Sequence, residues 1–136
     1  MAVTALPIFA QTPIFTVGAT VTTANTAKDG TGTVVLIYTA GVNGSRIDNI
    51  KVRSTGTAVA TVIRVFVNNG ATNVTATNNN LYVEATIAAT TLSEVAALAD
   101  NIIPMNISLP ATYRVYVTIG TTVATPLQVS AQGGDY

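Results

Sequence analysis

Apolar and polar residues alternate along most of this chain, and breaks with turn chemistry recur about every ten positions. In 113–119, Tyr113, Val115, Val117 and Ile119 share one face, and Arg114, Tyr116 and Thr118 the other. In 81–89, Leu81, Val83, Ala85 and Ile87 point one way, and Tyr82, Glu84 and Thr86 the other. In 59–67, Val59, Ile63, Val65 and Val67 alternate with Ala60, Val62, Arg64 and Phe66. A period of two is the signature of half-buried strands. The pattern predicts strands over 14–22, 33–39, 46–53, 59–67, 81–89, 105–109, 113–119 and 127–131. Asp29-Gly30-Thr31-Gly32, Asn68-Asn69-Gly70 and Leu109-Pro110-Ala111-Thr112 supply breaks between them. About eight short strands without long helices read as a β-sandwich or barrel.

Some segments resist a single reading. Residues 33–39 are apolar on both faces, which predicts a central strand covered twice or one that faces a neighbouring subunit. Residues 90–101 hold a capping-box pattern, Thr91-Leu92-Ser93-Glu94, before Val95 to Ala99, and fit either a two-turn helix or a loop leading into a strand. If 59–67 and 81–89 form a hairpin with paired numbers summing to 148, Arg64 opposes Glu84 and Phe66 opposes Tyr82 on the face away from the core. The segment from Asn69 to Asn79 is then a polar surface loop. Near the N-terminus Pro7 and Pro13 oppose helix and central strand, yet Leu6, Ile8, Phe9, Ile14 and Phe15 are too apolar for a free tail. They form either an edge strand tucked on their own domain or an arm laid on a neighbour, where covering them contributes several kcal/mol. The C-terminal Gln132-Gly133-Gly134-Asp135-Tyr136 reads as a frayed end or as a peg docking into a neighbour.

Charge changes this picture more than any motif. The 136 residues carry 6 Lys and Arg against 6 Asp and Glu, a net charge of zero, with 9% charged residues; ordinary soluble domains carry about 25%. On roughly 6,700 Å² of expected surface, that is on the order of one charge per 550 Å². The 24 Thr, 11 Asn and 5 Ser supply polarity in their place, and an exterior this short of charge favours association. Balanced charge leaves no electrostatic footprint for nucleic acid or an anionic membrane. The longest aliphatic run, Val34 to Tyr38, is too short to span a bilayer. The N-terminus lacks the cationic start of a signal peptide and is interrupted by Pro7, so it reads as mature protein.

Chemistry-bearing residues are scarce. With no Cys and no His, thiol chemistry, Cys or His zinc sites and His-based triads are excluded. No two of Asp29, Asp48, Glu84, Glu94, Asp100 and Asp135 are spaced as a metal loop or an acid/base pair. Asp29-Gly30 is most simply a turn, and Asn-x-Ser/Thr triplets at Asn43, Asn73 and Asn106 are close to the number chance supplies. No catalytic residue, metal or cofactor is assigned, and the chain is not read as an enzyme. Few aromatics are present, and core or interface use suits them better than a ligand platform.

The run TAGVNGSRIDNIKVRSTGTA from Thr39 to Ala58, IRVFVNNG from Ile63 to Gly70, DGTGT from Asp29 to Thr33 and the closing GGDY from Gly133 to Tyr136 resemble small structural proteins of tailed bacteriophages, of the capsid decoration (cement) type. The resemblance covers about 110 residues in order. It implies a β-sandwich or jelly-roll subunit, often trimeric, bound outside a capsid shell, and it brings no catalytic residues. The expectation is therefore an all-β, jelly-roll-like sandwich of about eight strands over 14–136, with an extended arm over 1–13. Its partners are further copies of itself, as a trimer, and the major capsid protein. Its location is the capsid exterior, after host cytoplasm during assembly. Leu6, Ile8, Phe9, Ile14, Phe15, Phe66, Tyr82 and Tyr136 are the expected interface residues. The rivals are a fibre or baseplate module that recognises host glycan and a hydrolase on an all-β scaffold.

Overall fold

The alternating segments become nine strands in a computed structural model that describes residues 9–136. They are β1 (Thr12–Phe15), β2 (Thr20–Val21), β3 (Val35–Thr39), β4 (Ser45–Ser54), β5 (Thr61–Asn68), β6 (Asn79–Ile87), β7 (Asn101–Leu109), β8 (Arg114–Ile119) and β9 (Leu127–Asp135). A short 3-10 turn, Ala76–Asn78, precedes β6. One sheet has the order β1-β9-β4-β7, with β2 also on β9, and the other the order β3-β8-β5-β6. Every pair between named strands is antiparallel. The pairs are nested: β1 with β9, β3 with β8, β4 with β7, β5 with β6. The all-β, two-sheet sandwich expected from the alternation is the observed architecture.

The core lies between the sheets. Ile47, Ile50 and Val52 of β4 face Ile63 and Val65 of β5 and Val115, Val117 and Ile119 of β8, all with no exposed surface. Ile47 and Ile50 are three residues apart, an odd spacing that strict alternation would send to opposite faces. A bulge between Ile47 and Asn49 absorbs the extra residue, so both point inward. Each open side of the sandwich is bridged by a side-chain hydrogen bond. On the β1/β3 side the Thr16 hydroxyl donates to the Ile37 carbonyl (2.6 Å). On the β6/β7 side the Tyr82 hydroxyl donates to the Met105 carbonyl (3.2 Å).

Several expectations are corrected. The strand expected over 14–22 breaks into β1 and β2 around Gly18, whose φ of +82° only glycine adopts without strain. Residues 12–13, expected in the arm, belong to β1 and pair with Asp135 and Gly134. Thus, from Thr12 onward, the segment is an edge strand of its own sheet; Leu6 and Ile8 lie outside the described residues. The doubly apolar 33–39 is no central strand. β3 is an edge strand, and a bulge between Leu36 and Tyr38 turns both Ile37 and Tyr38 inward. Val59 precedes β5 and is exposed. Of the two readings of residues 90–101, the loop leading into a strand is the one observed: no helix forms, and β7 starts at Asn101. Ser93 accepts from the N–H groups of Val95 and Ala96, but Val95 is 98% exposed, so a helix here would have no apolar face to bury. The segment spends its length crossing between the sheets, from the Thr90–Ala58 bridge to Asp100, which Arg53 holds.

The expected β5–β6 register holds at Arg64, opposite Glu84, and fails two residues on. A bulge puts Phe66 opposite Leu81 and leaves Tyr82 as the extra residue. Phe66 is fully buried, although it belongs to the outer face with its β8 partner Tyr116. The cover is the β2–β3 connection. It leaves one end of the sheet, where the Asn25 N–H donates to the Ile119 carbonyl (2.8 Å). It reaches the other end, where the Asn79 amide donates to the Asp29 carbonyl (3.2 Å) and the Asn73 amide to that of Gly30 (3.2 Å). With the inner face filled by core, the chain between these anchors crosses the outer face. Asn25 folds it back, donating to the carbonyls of Thr31 and Thr33.

The C-terminal segment is neither frayed nor a free peg. β9 continues to Asp135 between β1 and β4, and Tyr136 is tied by its N–H to the Gly44 carbonyl (3.1 Å). Its glycines reflect crowding: a Cβ at Gly133 would run into the Arg46 carbonyl, and one at Gly134 would meet Ala10 Cβ at 2.7 Å and the Thr12 carbonyl at 2.9 Å. Gly133→Ala is therefore expected to cost about 3 kcal/mol of unfolding free energy, because the obstacle is backbone. Asn79→Ala, which strips the amide bonds to Asp29, Asn73 and Asn68, is expected to cost about 2–3 kcal/mol. Urea denaturation checks both, and an unchanged midpoint for either contradicts the role given to it.

Candidate functional site

The eight expected interface residues do not form one patch. Phe9, Ile14 and Phe15 lie along the β1 edge, on the side of the sandwich that β1 shares with β3. Phe9 is 72% exposed and Phe15 57%, while Ile14 is half-buried against the core. Phe66 is removed from the set, since its burial beneath the β2–β3 connection leaves it no surface to offer. Tyr82 stands on the opposite side, half-exposed, with its hydroxyl on Met105. Tyr136 is half-buried, and its hydroxyl shares a hydrogen bond with Ser108 (2.9 Å).

Exposed Val17 extends the β1 edge beyond the residues expected from sequence. The strand is only four residues long, and among the described residues β9 pairs with one of its two backbone edges and no strand with the other. The first acidic or basic side chain of the chain is Lys28, so β1 itself carries no charged side chain. Apolar side chains beside an unpaired strand edge make the kind of surface that associates with another chain. A second apolar group, Leu92, Val95 and Ile102, is exposed on the 88–100 crossing and the start of β7. Alternation could not reveal it, because the same residues would suit a buried helix.

The β6/β7 side carries a different surface. A cleft of about 490 Å³ opens between β6, the end of β7 and the 69–78 loop. Its lining includes Tyr82, Tyr113, Asn69, Asn78, Asn79 and Asn80, and no acidic or basic side chain. The loop expected to be featureless is held by amides: Asn69 donates to Asn78 Oδ1 (3.2 Å), Asn78 to the Thr72 carbonyl (2.9 Å) and Asn79 to the Asn73 carbonyl (2.9 Å). The sequence signal was the asparagine density between 68 and 80. Asparagine amides can satisfy turn backbone without charge.

Charges sit elsewhere. Arg46–Asp48 (3.0 Å), Lys51–Asp100 (3.1 Å) and Arg53–Asp100 (2.7 Å) occupy the five-stranded sheet and its margin, and Arg64–Glu84 (2.7 Å) the other sheet. Hydrogen bonding from Lys51, with the charges of Arg53 and Lys51, holds the Asp100 carboxyl below its ordinary value. The Thr31 hydroxyl and N–H do the same for Asp29. Among the described residues no three His, Cys, Asp or Glu gather as a metal site requires, and no helix is long and apolar enough to cross a membrane.

One polar knot joins the sheets at the end where β9 finishes. The Asp135 carboxylate accepts from the Tyr38 hydroxyl (3.0 Å), the Gly41 N–H (3.3 Å) and the Ser45 hydroxyl. Burial, opposed by a hydrogen bond with Ser45 and reinforced by Asp135, pushes the Tyr38 hydroxyl from 10.0 to about 12. These groups satisfy one another and frame no open space, so the knot is structural.

Compared with known proteins, the chain matches no family model, no curated protein and no solved structure. The site is therefore read from its own surfaces. The Tyr38 shift carries a sign. The unfolded hydroxyl ionises near 10.0 and the folded one near 12, so its contribution is intact below pH 10.0 and drains away as pH rises through about 12. Urea midpoints across that range should fall for the wild type. Tyr38→Phe should be less stable at neutral pH and show a flatter alkaline decline. An equal alkaline slope in both proteins refutes the assignment.

Proposed function

We propose that this chain is a structural subunit of an assembly and performs no catalytic step. It associates through the β1 edge with further copies of itself, as a trimer, and with the major capsid protein, as a tailed-phage virion protein of the decoration type. The observation that carries the reading is β1, a strand without charged side chains, where Phe9, Phe15 and Val17 stand exposed beside a backbone edge that no described strand pairs with. Covering apolar surface contributes about 25 cal/mol per Å², so three such side chains repeated over several copies hold a shell without any strong single contact.

Two further points support it. The nested strand order is what winding one long hairpin into two sheets produces, and we read it as a jelly roll, an architecture of viral capsid and lectin domains. That likeness concerns fold and gives no function by itself; the sequence resemblance supplies the virion. The low, balanced charge also suits a chain whose exterior is shared with neighbours. A decorating subunit then sits on the capsid exterior after assembly in host cytoplasm, clamping the shell against internal pressure and heat.

The test uses the full chain and Phe15→Ser/Val17→Ser. Both side chains are exposed, so the variant should keep the wild-type circular dichroism and melting temperature. The wild type should sediment as a trimer and rise with capsids in a density gradient, and its removal should lower the capsid melting temperature. The variant should shift to monomer and lose the capsid. A monomeric wild type that neither co-sediments with particles nor alters their stability overturns the reading.

A further inference from the structure

We infer that the cleft between β6 and β7 is a binding site for neutral carbohydrate. Four features of the cleft converge on that ligand class. Its volume of about 490 Å³ falls within the range of small-ligand sites, roughly 300–1,000 Å³. An aromatic platform is fixed at its mouth. Tyr82 is the extra residue of the β6 bulge, a device that re-aims a side chain, and its hydroxyl is anchored on the Met105 carbonyl across the gap between sheets. The ring is thereby held in place while 42% of the residue stays exposed. A ring immobilised before binding loses little entropy on meeting a ligand, and its face suits the C–H face of a pyranose.

The remaining two features concern polarity. Asn80, Thr77 and Tyr113 line the cleft and, among the described residues, make no side-chain hydrogen bond. Together they offer amide N–H and C=O and two hydroxyls, the paired donors and acceptors that vicinal sugar hydroxyls require. Their neighbours Asn69, Asn78 and Asn79 are already committed to holding the loop, so the floor is rigid while the free groups point to a ligand. No acidic or basic side chain lines the cleft, which disfavours phosphate, sulfate and carboxylate ligands, because a buried anion needs a partner. A purely apolar ligand would strand these amides. A neutral polyhydroxylated ring matches each of the four features.

The inference is independent of the assembly reading, since the cleft and the β1 edge occupy opposite sides of the sandwich. The full chain is screened on an array of neutral hexose and N-acetylhexosamine oligosaccharides beside their sialylated and sulfated counterparts, and hits are titrated by calorimetry. At least one neutral glycan should bind, with an affinity that changes less than about twofold between roughly 50 and 500 mM salt, as contacts without charge predict. Asn80→Ala, which removes an exposed side chain that makes no hydrogen bond among the described residues, should keep the melting temperature and weaken binding about tenfold. Tyr82→Ala should abolish binding, and Tyr82→Phe, which keeps the ring, should retain most of it. Absence of any neutral ligand, a preference for the charged glycans with steep salt dependence, or binding indifferent to both Asn80→Ala and Tyr82→Ala overturns the inference. None of these outcomes alters the sedimentation of the wild type, so the two proposals fail separately.

Discussion

The fold depends on how closely the last strand can approach its neighbours. β9 must lie between β1 and β4, pairing with both, so that the first and last strands meet in one sheet. At Gly133 and Gly134 the flanking backbones leave no room for a Cβ. A side chain there would push Arg46 or Thr12 outward, and the nested pairing could not close. The same approach brings Asp135 to Tyr38 and Ser45, tying the end of the five-stranded sheet to β3 of the other. Two glycines that suggest looseness in isolation are thus the condition for this close approach.

What could be read in the sequence is what a period of two encodes. The inward faces of β5 and β8, the Arg64–Glu84 pair and the positions of most strands follow from alternation and turn chemistry. The misses cluster where one extra residue enters a strand. Bulges at Leu36/Tyr38 and Val65/Phe66 shift the phase where a position or register was expected, and a third, at Ile47/Asn49, lies in a strand to which no faces were assigned. Sequence carries no local mark of a bulge, because the gain that fixes it is tertiary: at β3 and β4 two large apolar side chains are turned to the same core. At β6 it instead releases Tyr82 from the pairing. Phe66 was misjudged for a related reason. Alternation assigned it to an outer face, as observed, but could not reveal that a distant connection would cover that face.

The candidate sites were legible in unequal measure. The apolar N-terminal stretch stood out against its prolines, and its strand-forming part does run along an edge, on its own sheet. The exposure of Leu92 and Val95 could not be read, because nothing in a short apolar run says whether the chain must stretch or coil there. The cleft was invisible, since its residues come from β5, β6, β7 and two connections. Only the asparagine density between 68 and 80 hinted at it, and it read equally well as an undemanding loop.

Asparagine and threonine explain how so weakly charged a chain still closes its loops. In most domains charged side chains keep connections solvated and prevent association. Here amides perform the first task and leave the second undone. Asn25, Asn73 and Asn79 fasten the connection that covers Phe66 and Tyr116, using neutral donors whose bonds are insensitive to ionic strength. An exterior built this way has no electrostatic barrier between copies, so whatever apolar surface it leaves bare decides what it meets. Such surface is bare along β1, which has no charged side chain, and hydrogen-bonding groups without an internal partner line the cleft on the far side. If both surfaces are used, a subunit bound by its first strand would still present its asparagine-lined side outward. Which of the two evolved first is immaterial to the physics: the nested strand order places them back to back, and each can be altered without disturbing the other.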